Sequence, residues 1–66
     1  MSLTTFYQNL PERSAPKSEF VRKVARRCNV GEATVRMWVK GKTKPSMNEH
    51  LEILSEETGI NTKELF

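Results

Sequence analysis

The chain contains no aspartate, one histidine and one cysteine. Those shortages exclude several chemistries together. Without aspartate, one His and one Cys supply no catalytic triad. No second His or Cys stands at a metal-ligand spacing from His50, which argues against zinc. Glutamates alone along the wet face of a helix make a poor acid–base pair. The expectation is no enzyme, no metal and no cofactor. A single thiol, Cys28, cannot form an internal disulfide, so a chain of 66 residues must build its core from packed helices. No apolar run approaches the eighteen or so residues of a membrane span, so no membrane is expected as a partner. The N-terminus lacks a charged start followed by an apolar block, so no signal peptide is expected. With a free thiol, that points to the cytoplasm. The aromatics are too few, and fall too much on apolar faces, to stack on single-stranded bases.

Charge is abundant, and it is segregated. Residues 17–44 hold nine lysines and arginines against Glu19 and Glu32. Residues 45–66 hold Lys63 against five glutamates. The net charge of +3 therefore hides a basic centre beside an acidic end. A basic centre suits a polyanion, whose released counterions drive binding.

Helical periodicity runs through the chain, with no strand pattern, internal repeat or low-complexity tract. Leu3, Phe6, Tyr7 and Leu10 share one face of a first helix, capped by Ser2 and stopped by Pro11. Residues 11–16, bracketed by prolines, form a loop. A second helix starts near Pro16 or Lys17, with Phe20, Val21, Val24, Ala25 and Cys28 on its apolar face. Arg22, Lys23, Arg26 and Arg27 occupy its other face. Asn29 suits a left-handed helix end, and Val30 wedges between that helix and the next. Gly31 is the N-cap of a third helix, about Glu32 to Val39, which Gly41 closes. Val35 and Trp38 face inward. Glu32, Ala33, Arg36, Met37 and Lys40 share the outward face. Ser46 to Glu49 has the form of a capping box opening a fourth helix, with Met47, Leu51 and Leu54 as its buried stripe and Gly59 as its end. Glu49, Glu52, Glu56 and Glu57 form its wet side. Asn61 to Glu64 is a second capping box, starting a fifth helix that returns Leu65 and Phe66 to the core. The expected architecture is an all-α, compact five-helix bundle forming one domain over residues 1–66.

Two short helices joined by a sharp turn, at about 17–40, have the form of a helix-turn-helix, the unit that sets its second helix in the DNA major groove. The residues Val24–Ala25, Val30, Thr34–Val35, Trp38, Gly41–Lys42, Lys44–Pro45–Ser46, Leu51, Ile53–Leu54, Gly59–Ile60 and Glu64–Leu65–Phe66 extend the pattern. On these residues the chain resembles the Cro/C1-type helix-turn-helix domain of phage repressors and their bacterial relatives, over about residues 20–66. The resemblance implies a lambda-repressor-like fold that binds double-stranded DNA, often as a homodimer on a two-fold operator, in a small bacterial or phage transcription regulator. By position it puts base contacts on Glu32, Ala33 and Met37, with Arg36 beside them. It puts phosphate contacts on Thr34, Lys40, Lys42 and Lys44 and around the start of the second helix.

Three positions depart from the family pattern. Phe20 and Val21 stand where a hydroxyl residue and glutamine are usual, which shifts the expected phosphate contact to Lys17 or Ser18. Gly31 replaces a hydroxyl cap. Met37 replaces a long polar reader and packs on a thymine methyl or on a partner protein. Arg36 is the leading base reader, since its guanidinium can bond two guanine acceptors, with phosphate contact as its alternative. Glu32 either accepts from a cytosine amino group or acts as a first-turn acid. The rival to DNA binding is a protein-interaction module, or the antitoxin component of a toxin–antitoxin pair, in which Ala33, Met37 and Val39 form an apolar patch.

Overall fold

The computed structural model describes residues 1–11 and 14–66. Four α-helices make up most of them: α1 Leu3–Gln8, α2 Ser14–Cys28, α3 Glu32–Val39 and α4 Asn48–Thr58. A single 3₁₀ turn, Thr62–Glu64, follows α4. No strand occurs among the described residues. The described residues are therefore all-α, with four α-helices and a 3₁₀ turn in place of the five helices expected. The fifth does not form because its segment closes only one turn, in which the Glu64 N–H reaches the Asn61 carbonyl at 2.9 Å. Asn61 still caps it, accepting from the Lys63 N–H at 2.9 Å.

Local chemistry accounts for the boundaries. Ser2 caps α1 by accepting from the Thr5 N–H at 3.1 Å. The helix ends at Gln8 with Asn9 as its C-cap, two residues short of Pro11, so Leu10 lies outside it. α2 starts at Ser14, earlier than expected. The first N–H groups of a helix have no intrahelical partner, so Pro16 sits in the first turn at no cost in hydrogen bonds. The loop expected at 11–16 is thus shortened, and residues 12 and 13 fall outside the described part.

Asn29, at φ 57°, ends α2. The Val30 N–H then bonds the Ala25 carbonyl at 3.0 Å, and the Asn29 N–H bonds that of Arg26 at 3.3 Å. Gly41, at φ 76°, ends α3 by the same pair of bonds, from Lys42 to Met37 and from Gly41 to Trp38. Three residues, Asn29 to Gly31, therefore turn α2 into α3.

α4 departs from expectation at its start. Its first turn closes on the Met47 carbonyl, which accepts from His50 at 3.1 Å and Leu51 at 3.4 Å. That makes Met47 the N-cap and puts Ser46 one residue too early to cap. Met47 therefore lies outside the helical stripe and is exposed, while Leu54 is fully buried.

α2 is the central element, packing on α3 and α4, while α1 packs on α3. Val21, Val24, Val35, Trp38, Val39 and Leu54 form much of the core, joined by Leu3 and Leu65 from the two ends of the chain. Each such side chain contributes about 1.5–3 kcal/mol on burial. Ala25 and Cys28 are both buried on the same side of α2. A larger side chain at Ala25 would overpack this core, at about 1–3 kcal/mol. Val30 is half-buried against the core. Phe6 and Tyr7 close over Phe20, with ring centroids 5.5 and 6.1 Å apart, and cover the outer side of α2. Phe66, expected inside, is 43% exposed, while its neighbour Leu65 takes the buried position. No helix of the described residues is long and apolar enough to cross a membrane.

Candidate nucleic-acid interface

The basic residues of the centre have different neighbours. Arg27 donates to Glu57 Oε2 at 2.7 Å and to Glu56 Oε1 at 2.6 Å, and Lys23 Nζ lies 3.3 Å from Glu57 Oε1. These pairs join α2 to α4. The hydrogen bond that Arg27 donates to Glu56, and then the one it donates to Glu57, raises the Arg27 pKa above its ordinary value. Burial alone would raise the Glu57 carboxyl, but the bonds from Arg27 and Lys23 outweigh it and hold the group below the usual glutamate value. Glu57 is only 13% exposed, so the expectation of a wet face holds for Glu49, Glu52 and Glu56 and fails for Glu57.

Lys17 points its ammonium at the Tyr7 ring, 5.4 Å from the centroid, on the α1 side of α2. Ser18 is exposed on the same turn. Arg36 is bonded to Glu32 one turn earlier on α3, at 3.3 Å. Among the described residues, Lys17 and Lys63 have no acidic partner, and neither do Arg22, Arg26, Lys40, Lys42 and Lys44 of the basic centre. The last five are all exposed.

Those five lie about the two ends of α3. Arg22 and Arg26, one turn apart on α2, line a depression of about 550 Å³ shared with Asn29, Val30, Gly31 and Glu32 at the start of α3. Lys40 caps its end, and Lys42 and Lys44 follow in the loop. Between them, Glu32, Ala33, Thr34, Arg36 and Met37 are all exposed, while Val35, Trp38 and Val39 are buried. α3 is thus a sharply divided helix with an unobstructed outer face. Val39 belongs to the core, which removes it from the apolar patch of the protein-interaction reading. Met37 is 38% exposed and, with Ala33, is what remains of that patch.

The sequence alone puts Arg22, Lys23, Arg26 and Arg27 in one basic face. Their i,i+4 spacing identifies two rows, but only the fold shows which row α4 neutralises. Trp38 is core, with its ring centroid 5.6 Å from that of His50. Cys28 is buried, and burial pushes its thiol pKa up against a smaller lowering by Arg27. No group of three or more His, Cys or Glu side chains suited to a metal occurs among the described residues. In comparisons with protein-family models, curated proteins and solved structures, nothing matched the chain.

Proposed function

We propose that the chain is a double-stranded DNA-binding domain of a small bacterial or phage transcription regulator, with α2 and α3 as its helix-turn-helix and α3 in the major groove. The observation that carries this reading is the set of unpartnered cations about both ends of α3, with an exposed helical face between them. An eight-residue helix is about 12 Å long, and the major groove is about 12 Å wide. Arg22 and Arg26 at one end and Lys40, Lys42 and Lys44 at the other meet the phosphates that border the groove. Thr34 adds a hydroxyl. Lys17, engaged with Tyr7, gives way to Arg22 and Arg26 as the α2 contact, and Ser18 remains a secondary one.

Phosphate contacts orient the helix and base contacts discriminate. Arg36 is the principal reader, with Glu32 releasing it to a guanine and accepting from a neighbouring cytosine amino group. Ala33 and Met37 pack on thymine methyls. One module of this size has a limited interface, so useful affinity calls for a homodimer or a second domain.

Equilibrium binding of a labelled duplex across a salt series tests the reading. Binding weakens with salt, and replacing Lys42 and Lys44 together by alanine reduces the slope of log K against log salt by about 2. Absence of binding to any duplex at low salt would overturn it and favour a protein partner reached through Ala33 and Met37.

A further inference from the structure

A second concavity, of about 400 Å³, opens where the two ends of the chain meet the loop after α3. Ser2 and Thr4, the segment from Gly41 to Lys44, and Leu65 and Phe66 line it. Its shape is built by backbone constraints. The Leu3 N–H donates to the Leu65 carbonyl at 2.9 Å and fixes one end of the chain against the other. Gly41 takes a left-handed turn so close to α1 that a Cβ there would lie 3.3 Å from Thr4 Oγ1.

The lining is chemically two-sided. Lys42 and Lys44 bring two ammonium groups, and no acidic side chain lines the space. The Ser2 hydroxyl is engaged with Thr5, which leaves Thr4 and Thr43 as the hydroxyl donors. Leu65 supplies a buried apolar base, and Phe66 holds a half-exposed ring at the rim. The volume falls in the range of small-molecule sites, about 300–1,000 Å³.

We propose that this pocket binds a small amphipathic anion, with a phosphate or carboxylate head on Lys42 and Lys44 and a flat apolar body against Leu65 and Phe66. Nucleic-acid backbone satisfies only the first half of that lining. Because the same two lysines are assigned to DNA phosphates, an occupied pocket competes with the duplex and acts as an effector site. That competition rests on the DNA-binding reading, whereas the pocket itself does not.

The test is a titration of the ¹⁵N-labelled full chain with 1-naphthyl phosphate in the absence of DNA, followed by amide NMR. Saturable shifts are expected at Thr4, Gly41 to Lys44, Leu65 and Phe66. The affinity should exceed that for 1-naphthol or inorganic phosphate by roughly tenfold, the increment expected from burying one ring face. Phe66→Ala, at an exposed position, should reduce binding to the level of inorganic phosphate, and the double variant Lys42→Ala, Lys44→Ala should reduce it to the level of 1-naphthol. No saturable shifts, shifts centred elsewhere, or an affinity equal to that for inorganic phosphate would overturn the pocket. A second arm adds 1-naphthyl phosphate to the chain bound to a labelled duplex and expects displacement. Binding of both without displacement overturns the competition and leaves the pocket standing. Failure of the duplex to bind removes the competition with the DNA reading, while the first arm still decides the pocket.

Discussion

Arg36 and Glu32 are both half in solvent, so their ion pair adds little to stability and opens easily. On the proposed reading that is useful, since the pair holds the guanidinium extended along α3 until a guanine replaces the carboxylate. Arg36→Ala should therefore leave the melting temperature nearly unchanged and cost about 1–3 kcal/mol of discrimination at one base pair, measured by competition between duplexes that differ there. Gly41 behaves in the opposite way. Its positive φ and the nearby Thr4 hydroxyl penalise any side chain, so Gly41→Ala should destabilise by about 1 kcal/mol or more in denaturant unfolding. Gly31 has an ordinary extended φ and open space around it, so Gly31→Ser should add a cap and a few tenths of a kcal/mol. Asn29, Gly41 and Gly59 were legible in the sequence because few other residues tolerate a left-handed turn. The exposure of Phe66 was not, because hydropathy does not reveal which side of a final turn has protein over it.

At the scale of elements, the bounds of α3 were readable, because Gly31 and Gly41 bracket it and Val35 and Trp38 mark its inner face, while the burial of Val39 was not. The start of α2 was not, since proline is compatible with several positions of a first turn. The joining of α2 to α4 was less legible still. Lys23 and Arg27 lie about thirty residues from Glu56 and Glu57, and nothing in either segment names the other. That joint leads to a pH prediction. The carboxyl of Glu57 is lower in the folded chain than in the unfolded one, so its contribution is complete above the unfolded value, near pH 4.3. It disappears as pH falls through the lower folded value. Glu57→Gln should therefore be less stable than the parent chain at pH 7. The difference in melting temperature should shrink steadily below about pH 4. A difference that stays constant from pH 7 to pH 3 would remove the pairs from the account.

As a whole, the described residues measure 30 × 24 × 21 Å, with Glu49 and Glu52 of α4 exposed and Glu56 and Glu57 paired to α2. On the proposed reading, each half-site of a two-fold operator, about 34–36 Å from the other, would take one copy. The cationic surface was visible in the sequence as an excess of charge. Its concentration about the ends of α3 emerges only when α4 neutralises one row of α2 and Tyr7 takes Lys17. The most direct test of DNA reading by α3 is selection from a random duplex pool, with sequencing, at two salt concentrations. The account predicts an enriched two-fold motif with half-sites about one helical turn apart, a guanine that loses its preference in Arg36→Ala, and weaker recovery at the higher salt. Recovery without enrichment, or no recovery at either salt, would contradict it.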